Sequence, residues 1–590
     1  MNKLDLITKV KALDGITQDE RAYLINLINT KKKYGLVWED KPEDVEEFLR
    51  DNLPVLKEVK DKAILNGDEN PNHILIEGDN LHALTALTFT HENKIDVIYI
   101  DPPYNTGNKD FKYNDSFVDK EDSYRHSKWL SFMHKRLQIA KRLLNDKGAI
   151  FISIDDYEVG QLKLICNEVF GESNFVGQWN WFKSATPPNL SHKIKKNVEF
   201  VLAYEKNRTN IKYKGIKKDS KSDDPITKPQ NTLKTLTFPP GSIRFKINDK
   251  TIKAGIYGTD KYPNKLLNNL IIENHTNKNE VSFENRFVWT QPKLDEELKN
   301  NTIINCSSSI VISYKKQNYS EEVPPNLIDE SVGVDTTEEA GKYLFEIFGE
   351  KLFDYPKPTS LIKYLLTFKE NTTILDFFAG SGTTLDATMQ LNSEDGGKRQ
   401  CILVTNNENN ICEEVTYERN RKVIQGYTNN KGVKIDGLNE NNLRYYKNEF
   451  LSRETTLKNK RDLTQLATEL LCIKENCYTE SKIKIKQAKY FENESVRLLV
   501  LFDDNVIPEA VEFIKALDSK IKIKVYVFSI GYDPYTEDFY EVINKIQLCA
   551  LPDAIYKAYQ NVLPKRKRNS LIIDESESQL NENGKQIETT

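Results

Sequence analysis

An apolar tetrapeptide, Val97-Ile98-Tyr99-Ile100, runs directly into Asp101-Pro102-Pro103-Tyr104. A short unbroken apolar run reads as a parallel strand buried on both faces. The second tetrapeptide then falls at the carboxyl end of a strand, where open α/β sheets hold their ligands. Two successive prolines stiffen the turn, because each fixes its own φ and restricts the residue before it. Such a turn presents a carboxylate, a proline carbonyl and an aromatic ring together. The set suits a planar amino group, with two acceptors for its two N–H donors and a ring to stack on. Taken alone, the same residues also read as a β-turn with a surface tyrosine.

A second turn lies far downstream. Thr373-Ile374-Leu375-Asp376 reads as another short strand. It leads into Phe377-Phe378-Ala379-Gly380-Ser381-Gly382-Thr383-Thr384, and then into a helical pattern through Leu385, Ala387 and Met389. Strand, glycine turn and helix is a layout that lets backbone approach a nucleotide-like cofactor closely. The spacing is not G-x-G-x-x-G, so no dinucleotide fingerprint is met, and a plain strand-to-helix turn stays open.

Together the two turns resemble the amino-group DNA methyltransferases that use S-adenosylmethionine. In that family the Asp-Pro-Pro-Tyr turn is catalytic and the Phe-x-Gly-x-Gly turn binds the cofactor. The catalytic turn comes first here, and the glycine turn follows roughly 275 residues later. That order resembles the β arrangement, in which the sequence-reading domain is inserted between the two halves. The resemblance implies an α/β fold: a Rossmann-like methyltransferase sheet in permuted order, an inserted target-recognition domain and a C-terminal α/β region. It implies catalytic roles for Asp101, Pro102, Pro103 and Tyr104, with the ring of Tyr104 as a platform for a flipped base. Cofactor contacts are implied for Asp376, Phe378, Ala379, Gly380, Ser381 and Gly382. Asp rather than Ser at position 101 resembles the adenine-modifying members more than the cytosine-N4 ones.

Further candidates come from the flanking segments. His73-Ile74-Leu75-Ile76 reads as a strand that turns at Gly78-Asp79 into a helix through Leu81, Leu84 and Leu87. Asp79 suits a helix N-cap, while the resemblance puts the matching acid near the adenosine part of the cofactor. The pair Lys357-Pro358 leads into a helix through Leu361, Ile362, Leu365 and Leu366. Lys357 can neutralise the methionyl carboxylate of the cofactor. The strand Cys401-Ile402-Leu403-Val404 ends in Thr405-Asn406-Asn407-Glu408, without the usual family acid for the ribose hydroxyls, which leaves Asn406 or Glu408 for that contact. Asp155 and Asp156 end the strand Ala149–Ile154 and read as helix-capping acids rather than metal ligands.

The chain of 590 residues has room for several domains. We divide it into a helical N-terminal region (1–70), a catalytic half (71–180), a target-recognition domain (181–345), a cofactor half (346–440), a C-terminal α/β domain (441–572) and a disordered tail (573–590). Net charge is −4, so contact with nucleic acid has to come from local patches. One such patch is residues 201–250, with 12 Lys or Arg against 5 Asp or Glu and aromatics interleaved. A Lys-rich solvated surface is the bland alternative there. The seven scattered cysteines lack metal spacing and read as reduced thiols, with no metal site. No signal core or membrane-length apolar run is present, which points to the cytoplasm.

Tyr34-Gly35-Leu36-Val37-Trp38-Glu39-Asp40, the segment Thr405–Cys412 with Tyr417-Glu418-Arg419, Cys549–Tyr556 and the basic run Pro564–Arg568 resemble the modification subunits of type III restriction systems. That resemblance implies double-stranded DNA as substrate, a homodimer, and a restriction subunit carrying helicase and nuclease as partner. The chain has no G-x-x-x-x-G-K-[ST] of its own to drive translocation. A solitary regulatory adenine methyltransferase, or a DNA-binding specificity protein with a vestigial site, are the other readings.

Overall fold

The computed structural model describes residues 9–13, 38–186, 193–215, 223–259, 262–316, 322–517 and 521–565, with a few isolated positions between 13 and 38. Tyr34–Val37, the end of the basic run (566–568) and the tail from 573 lie outside the described residues. The described chain forms two compact units, Lys212–Pro324 and the remainder.

The larger unit is built on one 10-stranded sheet. Its strands are β1 (Asn52–Glu58), β2 (Asn72–Glu77), β3 (Ile95–Ile100), β4 (Leu144–Ile154), β5 (Phe175–Phe182), β6 (Val198–Glu205), β7 (Leu327–Ile328), β8 (Thr373–Asp376), β9 (Gln400–Thr405) and β10 (Asn442–Ser452). The spatial order is β1-β10-β2-β9-β8-β3-β4-β6-β5-β7. From β10 to β4 all neighbours are parallel, while β6 and β5 add antiparallel pairs on one side and β1 does so on the other. The parallel strands are apolar runs because helices cover both faces. Those helices include α1 (Asn80–His91), α2 (Arg125–Leu143), α3 (Val159–Phe170), α4 (Thr359–Thr367), α5 (Thr383–Asp395), α6 (Glu418–Gln425) and α7 (Leu457–Glu475).

Two strands from late in the chain, β8 and β9, insert between β2 and β3. That is the permuted order the two turns implied. Ile374 pairs with Val97 and Leu375 with Ile98, so β8 and β3 end level to within a residue. From these ends the chain leaves in opposite directions, β3 through α2 to β4 and β8 through α5 to β9. A crevice at such a switch point is where open α/β sheets bind ligands.

The helical expectation for the N-terminal region fails at Asn52–Glu58, which is strand β1. Its partner, β10, lies almost 400 residues away, so local spacing carries no trace of the pairing. Pro54 is tolerated because β1 is an edge strand, and its carbonyl accepts from the Tyr559 hydroxyl at 2.9 Å. The segment from 441 onward opens with β10, which sits inside the main sheet. The five-stranded sheet that follows includes the βαβ unit Arg497–Leu501, Ile507–Ala516 and Ile523–Phe528. Leu498, Val500, Tyr526 and Tyr559 share one core with Leu84 and Leu87 of α1 and Leu470 of α7.

The smaller unit has its own core, centred on Leu236, Phe238, Phe283 and Ile304, between a four-stranded and a seven-stranded sheet. Its sequence holds 19 Lys or Arg against 13 Asp or Glu, a net +6 by subtraction. Among the described residues, no helix is long and apolar enough to cross a membrane.

Candidate active site

Asp101-Pro102-Pro103-Tyr104 leaves the end of β3 as a turn held from below. The buried Trp129 of α2 donates its indole N–H to the Pro103 carbonyl at 2.7 Å. Of the two proline carbonyls, Pro102 therefore remains for a ligand.

Around Asp101 three strand ends and a helix start bring charges together. Lys357, just ahead of α4, donates to Asp101 Oδ2 at 2.7 Å and lies 3.5 Å from Glu199 Oε2. Glu199 enters from the start of β6, and Lys183, just past β5, donates to its Oε1 at 2.8 Å. The Tyr104 hydroxyl faces Asp101 Oδ1 at 2.8 Å and Glu199 Oε2 at 3.0 Å. Its one proton is shared between two acceptors. Two ammoniums thus balance two carboxylates.

The two acids differ in environment. Burial pushes Asp101 above the usual carboxylate range, with Lys357 opposing the shift. Burial also acts to raise Glu199, but Lys357 and Lys183 outweigh it and hold that acid below its usual value. Lys357 is held above the usual lysine value, because the two carboxylates outweigh the opposing effect of its burial. The Asp101 side chain is 28% exposed and that of Glu199 9%. Asp101 is therefore the carboxylate presented to a ligand, and Glu199 is the anchor behind it.

The glycine turn closes β8 beside this cluster. Asp376 spends both oxygens inside the turn, accepting from the Phe378 amide at 2.9 Å and the Thr384 hydroxyl at 2.6 Å. Burial raises it to about 7. Gly380 and Gly382 have φ of 50° and 76°, a region that suits glycine. A Cβ at 382 would also lie 2.4 Å from Asn420 Nδ2. Arg419 of α6 braces the turn from behind. It is paired with buried Asp386 at 2.9 Å and donates to the Ser381 carbonyl at 3.2 Å and the Thr383 hydroxyl at 2.8 Å. Ala379 and Ser381 are buried, while Phe378 and Gly380 keep partial exposure at the crevice.

The remaining candidates divide. Asp79 caps α1 by accepting from the Leu81 amide at 2.7 Å, and Arg136 lies 3.6 Å from its other oxygen. Asn406 is exposed just past the end of β9, whereas Glu408 is paired with Lys112. Pro358 stands at the N-cap of α4. The Lys357 ammonium lies against Asp101 rather than free for a cofactor carboxylate, because two acids reach it across the sheet edge. Asp155 accepts from the Tyr157 amide at 2.9 Å and Asp156 pairs with Lys196 at 2.8 Å. Sequence reasoning missed Lys183, Glu199 and Arg419. Glu199 left one signal, an acid set between the apolar Val198 and Phe200 at the start of β6.

Residues 95–418, more than half of the chain, match the DNA methylase family. Three relatives are type III restriction-modification enzyme Mod subunits. StyLTI of Salmonella typhimurium is 32% identical over 363 residues, covering 57% of this chain and 53% of that protein. EcoPI of Escherichia phage P1 is 31% identical over 424 residues, covering 64% of each. EcoP15I of Escherichia coli is 30% identical over 458 residues, covering 68% of this chain and 67% of that one. The chain thus spans from about half to two thirds of the length of these relatives. With the paired turns on adjacent strand ends and a match across both of them, the chain belongs to the DNA methylase family.

Proposed function

We propose that the protein transfers a methyl group from S-adenosylmethionine to adenine N6 in double-stranded DNA, as the modification and recognition subunit of a type III restriction-modification system. The observation that carries this is the meeting of Asp101 and the Phe378–Gly380 turn at the ends of two adjacent parallel strands. The Mod-subunit relatives support the type III assignment. By the same likeness, the protein works as a homodimer with a helicase-nuclease restriction subunit as partner, in the cytoplasm.

An adenine amino group is a poor nucleophile because its lone pair is delocalised into the ring. Hydrogen bonds from N6 to Asp101 Oδ1 and to the Pro102 carbonyl localise that lone pair. Lys357 and Glu199 keep the Asp101 carboxylate fixed in direction, so little reorganisation accompanies the reaction. A base within a duplex cannot reach a crevice at a sheet edge, so it is flipped out and stacks against Tyr104.

The residues open at the crevice fit the methyl donor. Phe378 offers a ring, Gly380 a bare backbone, and Asp79 and Asn406 polar side chains, which matches a ligand that is part nucleoside and part amino acid. These four would hold it, and Asp376, Ala379, Ser381 and Gly382 would shape the turn beneath. When bound, S-adenosylmethionine supplies an electrophilic methyl group. The net +6 of Lys212–Pro324 suits a surface that follows phosphates, and we assign target recognition to that unit.

Long-read sequencing of DNA from a methylation-free host expressing the protein tests the proposal. N6-methyladenine at one recurring sequence is expected. N4-methylcytosine in its place, or no modified base when the protein is present and folded, contradicts it.

A further inference from the structure

Directly behind the catalytic turn lies a buried polar cluster that the mechanism above does not use. Asn105 follows Tyr104 with a φ of 57° and is 1% exposed. Its Nδ2 donates to Glu158 Oε1 at 2.6 Å. Glu158, at the N-cap of α3, is fully buried. The same Oε1 faces His126 Nδ1 at 2.6 Å. Arg125 Nε donates to His126 Nε2 at 3.3 Å, which makes Nε2 the accepting nitrogen and leaves the Nδ1 proton for the short contact with Glu158, although the Gln161 amide nitrogen also lies 3.3 Å from Nδ1.

Glu158 Oε1 thus accepts twice, while two atoms beside it are orphaned. Glu158 Oε2 and Asn105 Oδ1 are both buried without a hydrogen-bond partner. Leaving two acceptors unpaired in a protein interior is costly. A single proton removes both defects. If it sits on Oε2 and is donated to Asn105 Oδ1, acid and amide form a cyclic pair with one hydrogen bond in each direction.

We propose that Glu158 is a neutral carboxylic acid that locks Asn105, and through it the Asp101–Tyr104 turn, in the geometry the reaction needs. Glu158 is a positioning residue, and the idea rests on the methyltransfer reading above. The electrostatics agree with it. Burial raises the Glu158 carboxyl to about 8, against the pull of Asn105 and Arg125 and with a small push from Asp155. Burial and Arg125 also lower His126, which keeps it neutral. Asn105 from the turn, Arg125 and His126 from the start of α2, Asp155 from the end of β4 and, through His126, Gln161 of α3 are polar and charged groups around this carboxyl.

The test compares full-length wild type with Glu158→Gln, Glu158→Asp and Glu158→Ala. A glutamine copies the neutral acid, since its oxygen accepts from Asn105 and His126 and its amide donates to Asn105 Oδ1. Methyl transfer from tritium-labelled S-adenosylmethionine to unmethylated phage DNA is followed against pH. Wild-type rate is expected to fall as pH rises through about 8, while E158Q loses that alkaline fall and outperforms E158D and E158A by tenfold or so.

Melting temperature gives a readout independent of activity. Between the usual glutamate value of about 4.3 and the raised native one, only the folded state holds this proton, so wild-type stability drains away as pH rises. The melting advantage of E158Q over wild type should therefore widen between about pH 5 and pH 8.5. An E158Q as slow as E158A, or a melting difference that does not change with pH, overturns the proposal. Wild type with no methyl transfer but a widening melting difference would instead sink the methyltransfer reading and leave the protonated Glu158 standing.

Discussion

Asp101→Ala is expected to lower methyl transfer by about 10³-fold or more while leaving S-adenosylmethionine affinity within a few-fold of wild type. The carboxylate is the partly exposed member of the cluster, and its Oδ1 is the acceptor offered to the amino group. Its loss does not strand Lys357, because Glu199 remains 3.5 Å from the ammonium. Nor does it strand Tyr104, whose hydroxyl keeps Glu199 at 3.0 Å. The fold should therefore survive, and the defect should appear in kcat rather than in cofactor binding. Asp101→Asn keeps one acceptor oxygen but faces the Lys357 ammonium with a neutral group, and should retain more rate than alanine. Tritium-transfer kinetics beside calorimetric titration of the cofactor separate the two effects. Rates within tenfold of wild type for D101A would remove Asp101 from the chemistry.

Arg419→Met should do its damage differently. Arg419 and Asp386 are both almost wholly buried, at 2% and 0% side-chain exposure. Removing one partner of a buried ion pair leaves an uncompensated charge, at a cost of about 3–5 kcal/mol. The bonds to Ser381 and Thr383 disappear with it, so the glycine turn loosens. We expect an earlier denaturation midpoint for the catalytic unit and weakened cofactor binding. Adding Asp386→Leu should recover much of the stability, because an apolar pair of similar volume replaces the ion pair without a stranded charge. Cofactor binding should stay weak in the double variant, since the brace on Ser381 and Thr383 is still missing. Denaturation and cofactor titration on the single and double variants check both statements. Recovery of binding along with stability would show that Arg419 only balances a charge.

The strands that carry the site were readable because they are buried on both faces. Val97–Ile100 and Cys401–Val404 leave unbroken apolar runs, Thr373–Asp376 leaves a short one at Ile374-Leu375, and each is followed by a turn. β1 was not readable: it exists only because β10 pairs with it from the far end of the chain. The same limit explains the site. Asp101 and Gly380 announce themselves through local turn chemistry, whereas Glu199 and Lys183 gain meaning only where antiparallel β6 and β5 bring them to the same sheet edge. Lys357 was legible as a cation near the site, but its partner was not, since nothing in Lys357-Pro358 says that Asp101 lies 2.7 Å away. Asp79 shows the converse, a residue whose local capping chemistry was visible and is what the fold uses.

A crystal structure of the protein with S-adenosylmethionine, in the Asp101→Asn variant to prevent turnover, is the most direct test of the shared crevice. The account predicts a ligand lying along Phe378 and Gly380, with its methyl group turned toward residue 101 and Tyr104. A ligand bound away from either turn, or one whose methyl group faces a different strand end, would contradict it.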